Sequence, residues 1–114
     1  ERDHVIEKAN ETAPWLNQRF HELFDDNLNV GEVRSIGLIN AIELVEDKGT
    51  KKAFDSSLRL GYRIYRKALE RGLMLRPLGD VMYFNPPLVI SKEELEEALD
   101  ICKWAVEEVL DEIN

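Results

Sequence analysis

The chain reads as an α+β domain, a small α/β sandwich whose three-stranded, mainly antiparallel sheet carries helices on one face. The predicted order is α-β-α-β-β-α. Three observations lead there. Apolar residues recur at intervals of three and four at both ends, residues 33 to 45 form a β-branched apolar run, and two short apolar segments flank Gly79-Asp80. Elements that each present one apolar side must stack as layers around a shared core.

The first helix carries Val5/Ile6, Ala9, Ala13, Leu16, Phe20 and Leu23/Phe24 on one stripe. Pro14 has no amide donor, so it is expected to kink this helix or restart it. The helical pattern is already running at Glu1 with no cap before it, which predicts a piece of a longer polypeptide. Asp25 to Gly31 is polar and glycine-containing and reads as a loop. Val33 to Val45 reads as one long strand, with Gly37 marking a bulge or a close approach of another group. Glu46 to Lys52 is a polar connection. A second helix is expected from about Ser56 to Glu70, with Leu58, Tyr62, Tyr65 and Leu69 inward and Gly72 as its left-handed terminator.

The hairpin at Gly79-Asp80 follows. Alternation along its first arm puts Leu73, Leu75 and Pro77 on one face and Met74, Arg76 and Leu78 on the other. Pro86-Pro87 should end the second arm, since neither residue can donate to a ladder. Ser91 then caps the last helix, and Glu94 completes a capping box. Leu95, Leu99, Cys102, Val106, Val109 and Ile113 form its buried stripe.

Composition narrows the function. The chain has 114 residues, enough for one domain, with 44% hydrophobic and 33% charged residues, as in globular proteins. No apolar run approaches the roughly 20 residues of a membrane span, and no signal-peptide pattern opens the sequence. The single cysteine, Cys102, excludes an internal disulfide and fits a reducing compartment. A net charge of −8 argues against nucleic acid, whose phosphates need a clustered basic face. A cytoplasmic domain is expected, with no membrane and no nucleic-acid partner.

Few residues offer chemistry. His4 and His21 lie far apart with no partner at ligand spacing, so no metal site is expected. Cys102 sits on an apolar stripe, where a thiol is inert. The glutamates at 93, 94, 96 and 97 suit the positive end of the helix dipole. No glycine-rich phosphate loop is present, and no catalytic dyad or triad assembles. Arg76 remains, the one charge in either arm of the hairpin. In apolar surroundings a guanidinium needs an anion. That anion is either a structural carboxylate such as Glu43 or Asp80, or a substrate.

The same residues carry a family resemblance. Arg-Pro-Leu-Gly-Asp-Val-Met-Tyr-Phe-Asn-Pro-Pro-Leu-Val-Ile at 76 to 90, followed by Ser-Lys-Glu-Glu-Leu, resembles the C-terminal segment of class III (subgroup II) pyridoxal-phosphate aminotransferases. Val-Gly-Glu-Val-Arg-Ser-Ile-Gly-Leu-Ile-Asn-Ala-Ile-Glu-Leu-Val at 30 to 45 is similar to the strand that opens the small domain in that family. The resemblance implies that residues 1–114 are the single C-terminal small domain of a fold-type I enzyme. It implies that Arg76 binds a substrate carboxylate and that Tyr83 stands near the same pocket. Small amino and oxo acids would be the substrates, the enzyme's large domain the partner, and a homodimer the full-length assembly.

The cofactor lysine of such enzymes lies in the large domain. None of the seven lysines (Lys8, Lys48, Lys51, Lys52, Lys67, Lys92 and Lys103) stands in the sequence context of that lysine. The resemblance therefore implies pyridoxal phosphate in the full-length enzyme and neither a catalytic nor a cofactor-binding residue in this chain. The same order of elements also suits a free-standing regulatory or interaction module, with Arg76 paired internally or gripping a partner's carboxylate.

Overall fold

A computed structural model describes the backbone of residues 2–85 and 91–113, and the side chains from Glu11 onward within them except Ile36. Pro86 and Pro87, and the side chains of His4, Val5, Ile6, Lys8 and Ala9, lie outside the described residues. The fold is α+β. Among the described residues three α-helices, α1 (Arg2–Phe24), α2 (Leu60–Leu69) and α3 (Lys92–Ile113), accompany strands β1 (Val30–Ile36), β2 (Ile39–Leu44), β3 (Arg76–Leu78) and β4 (Val81–Phe84). The strands form one antiparallel sheet in the order β1-β2-β4-β3.

Four strands replace the expected three because the run from Val33 to Val45 folds back on itself. Gly37 has φ +57° and Leu38 completes a two-residue turn, with Ile36 opposite Ile39. Gly79, at φ +60°, makes the equivalent turn between Leu78 and Val81. Positive φ at the first central residue alone is the pattern of a type II′ turn, whose twist matches that of the strands it joins. Gly37 marks neither of the expected features: nothing stands within 4 Å of a Cβ placed there, and the bulge falls at Gly31, where the register shifts between Val30 and Glu32. A Cβ on Gly31 would stand 2.8 Å from Val45 Cγ1, so the bulge needs glycine for space.

One sheet face is buried. Ile42 and Leu44 of β2 and Met82 and Phe84 of β4 join Leu16, Phe20 and Phe24 of α1, Leu60 and Ile64 of α2, and Leu95, Leu99 and Val106 of α3 in one core. Ala41, Tyr83 and Arg76 alternate onto the opposite face. α1 is helical through Pro14. The stripe of Leu16, Phe20 and Phe24 holds it against the sheet, and packing of this kind outweighs one lost backbone bond. Ser91 Oγ accepts from Glu94 N at 3.1 Å, and Glu94 Oε1 accepts from Ser91 N at 3.3 Å, so the expected capping box is formed.

The second helix differs from the sequence expectation in a way that bears on function. Ser56–Leu58 is a separate 3-10 turn, capped by the Asp55 carboxylate, and Arg59 adopts left-handed φ +50° and ψ +48°. α2 begins only after that break. Its buried side is Leu60, Gly61, Ile64 and Ala68. Tyr62 and Leu69, expected inward, are 39% and 38% exposed, while Leu58 and Tyr65 are only partly buried. Both sets of positions satisfy helical periodicity. The small residues win the inner side because Gly61 and Ala68 let the helix close onto its neighbours.

Gly61 is the tightest of these contacts. A Cβ there would press into the Gly79 carbonyl and lie 3.2 Å from Pro77 Cβ. Helix propensity alone would favour alanine by about 1 kcal/mol, whereas displacing a packed backbone costs about 1–3 kcal/mol. Gly61→Ala is therefore expected to lower the urea midpoint. A raised midpoint would mean that α2 and the hairpin are not in this contact.

Candidate substrate-carboxylate site

β3 is an edge strand, and Arg76 is its first residue. Arg76 pairs directly with Tyr83 of β4. Tyr83 pairs with Ala41, and Ala41 with Arg34, so one row crosses the sheet face opposite the core from edge to edge. Directly opposed residues of an antiparallel pair have Cβ atoms roughly 4.5–5.5 Å apart. Both sequence-predicted site residues are thus brought together on one face.

The surroundings of Arg76 depart from expectation in two respects. The residue is exposed rather than enclosed, and its strand neighbours Met74 and Leu78 are 72% and 69% exposed. Nor does either proposed structural partner reach it. Glu43 pairs with Arg34 at 3.7 Å. Asp80 has its carboxyl pushed up by burial and by the Glu43 charge, and it forms no ion pair with Arg76 among the described residues. Among the described residues Arg76 makes no ion pair and no side-chain hydrogen bond.

A shallow groove of about 530 Å³ runs along this edge. Its lining includes Met74, Arg76, Leu78 and Tyr83 of the hairpin and Tyr62 and Tyr65 of α2. The two α2 tyrosines were missed from sequence. The helical repeat places both on the inner side, because the left-handed break at Arg59 is invisible to periodicity. Tyr62 is held firmly: its hydroxyl accepts from Arg66 Nη1 at 3.0 Å, and the Arg59 guanidinium lies 4.4 Å from its ring centre.

The remaining candidates stand apart from the groove. His21 Nδ1 lies 2.9 Å from Asp25 Oδ1 on the surface of α1. No group of three His, Cys, Asp or Glu able to hold a metal occurs among the described residues. Cys102 is 2% exposed, and burial pushes its thiol up to about 12. An aromatic disulfide reagent is accordingly expected to leave Cys102 unmodified at pH 8 until denaturant is added; rapid labelling of native protein would contradict its burial. Among the described residues no helix is long and apolar enough to cross a membrane.

Pyridoxal phosphate does not fit the groove at Arg76 as the described residues line it. An amine is needed to hold its aldehyde and a carboxylate its pyridine nitrogen, and the groove at Arg76 is lined by neither. Lys52 pairs with Glu46 at 3.1 Å, Lys67 with Glu112 at 3.6 Å, and Lys92 lies over the Trp15 ring.

Residues 1–106 match the family model of the class III aminotransferases. An uncharacterised aminotransferase of Sinorhizobium fredii is 40% identical over 99% of the chain. The adenosylmethionine-8-amino-7-oxononanoate aminotransferase of Aquifex aeolicus is 37% identical, also over 99%. The crystal structure of the PMP-bound form of an aminotransferase from Vibrio fluvialis superposes with a TM-score of 0.93 at 30% identity over 98% of the chain. The chain belongs to the class III aminotransferase family. It spans 25% of the length of each of these relatives.

Proposed function

We propose that residues 1–114 form the small domain of a pyridoxal-phosphate-dependent aminotransferase, and that Arg76 binds the carboxylate of an amino or oxo acid substrate. The supporting observation is the exposed Arg76, without an ion pair among the described residues, paired with Tyr83 on the sheet face opposite the core. A guanidinium offers a carboxylate two parallel charge-assisted hydrogen bonds. Anchoring that end of the substrate orients its amino group for transfer. Tyr83 presents a phenol next to the anchored group. The cofactor supplies the electron sink for amino transfer when bound, and its lysine belongs to the large domain of the same enzyme. The full-length assembly is a cytoplasmic homodimer in this reading.

The particular reaction proposed is formation of 7,8-diaminononanoate from 8-amino-7-oxononanoate in biotin synthesis. Arg76-Pro77-Leu78-Gly79 with Tyr83 downstream resembles that enzyme, and the Aquifex relative bears its name. A second reading, an ω-amino-acid:pyruvate aminotransferase, is favoured by the exposure of Arg76, which leaves room for the side chain to swing aside for apolar substrates.

The test is Arg76→Ala in the full-length enzyme. Loss of kcat/KM on carboxylate substrates, with the cofactor's absorbance retained, is expected. Unchanged activity on those substrates would refute the assignment.

A further inference from the structure

We infer that the hollow between the 3-10 turn at Ser56–Leu58 and the Gly79-Asp80 turn binds a small zwitterion, a molecule carrying both a carboxylate and an ammonium group. The hollow has a volume of about 380 Å³ and is lined by Ser56, Arg59, Tyr62, Pro77, Gly79 and Asp80. Arg76 is not part of this lining. Its two charged residues, Arg59 and Asp80, have opposite signs. Among the described residues they form no ion pair, either with each other or with another side chain. One unpaired charge of each sign around a single hollow matches a ligand that bears both.

Arg59 is the less ordinary of the two. Its left-handed φ of +50° and ψ of +48° lie where few residues other than glycine go, and such strain clusters at ligand sites. Its neighbours hold it there: the Asp55 carboxylate accepts from Ser57 N at 2.9 Å, and Leu60, wholly buried, begins α2. The guanidinium lies 4.4 Å from the Tyr62 ring centre. A guanidinium stacked on a ring keeps its in-plane N–H donors, which match a carboxylate. Among the described residues none of those donors makes a side-chain hydrogen bond.

Asp80 supplies the other charge. Burial, and then the charge of Glu43, pushes its carboxyl up from its ordinary value, and an ammonium group beside it would offset both. The Ser56 hydroxyl can donate or accept, while the Tyr62 ring and Pro77 offer apolar surface to a short carbon skeleton. The two charges belong to elements joined through backbone, because a Cβ on Gly61 would press into the Gly79 carbonyl. Their spacing is therefore set by packing, as a preformed site requires.

The probe is N,N-dimethylglycine, a zwitterion whose tertiary nitrogen cannot be transferred, titrated calorimetrically into the full-length enzyme. Saturable binding is expected. Isovalerate keeps the shape and the carboxylate but lacks the cation, and N,N-dimethylethylamine has the cation alone. Each should bind at least about tenfold more weakly, through loss of one charge-assisted contact. Arg59→Gly removes the guanidinium and suits the left-handed backbone. Asp80→Asn keeps the side chain's shape and removes its charge. Both variants leave the core unchanged, and each should weaken the probe by about tenfold or more. Arg76→Ala should bind the probe as the parent does.

No saturable binding, isovalerate or the amine binding as well as the probe, or parental affinity in either Arg59→Gly or Asp80→Asn overturns the inference. Loss of binding in Arg76→Ala overturns it too, because the probe would then sit at that arginine.

Discussion

Replacing Arg76 by alanine in the full-length enzyme is expected to cut kcat/KM on carboxylate substrates by about 10²-fold. Hydrogen bonds to charged groups contribute about 1.5–3 kcal/mol each in protected sites, and a bidentate pair would reach the upper end of 10²–10⁴. The lower figure is appropriate because Arg76 is exposed on an edge strand, where water competes for both partners. Two further results would identify the cause. Arg76→Lys keeps the charge but loses the planar fork, so it should recover only part of the loss. An amine donor with no carboxylate should be affected far less. Equal losses on both donors would point to a structural role for Arg76.

Phe20→Ala should be the most damaging single truncation of the core. Phe20 is 1% exposed and lies 5.6 Å from the Phe24 ring and 5.2 Å from the Phe84 ring, centre to centre. Its ring joins α1 to β4. Removing a buried phenylalanine costs about 3–5 kcal/mol in lost transfer energy and cavity formation. Domains of this size are stable by only about 5–15 kcal/mol, so much of the net stability would go. Urea unfolding measures this directly. A loss under about 1 kcal/mol would mean that α1 does not pack on the sheet as described.

The clearest local signals were legible before the structure. The Ser91 and Glu94 capping box, the Gly79-Asp80 turn and the alternation along Leu73 to Leu78 all depend on neighbouring residues, so the sequence suffices to read them. Leu75 is buried while Met74, Arg76 and Leu78 are exposed, as the alternation requires. The second hairpin was missed although Gly37-Leu38 repeats the same glycine-first turn. Its flanks are apolar on both sides, so nothing but chain reversal distinguishes two strands from one. Here pairing between β1 and β2, a nonlocal gain, decided the outcome.

The site divides in the same way. Sequence by itself determined that Arg76 and Tyr83 occupy two arms of one hairpin, because turn chemistry and a period of two fix both. Only tertiary structure decided what surrounds them. Arg34 takes Glu43, which leaves Arg76 without that carboxylate. Gly61, closing on Gly79, turns Leu60, Ile64 and Ala68 into the core and leaves Tyr62 and Tyr65 in the lining of the groove. A helical repeat shows that a helix has an apolar side; which of two competing sides is buried depends on how closely its neighbours can approach, and that is settled by packing alone.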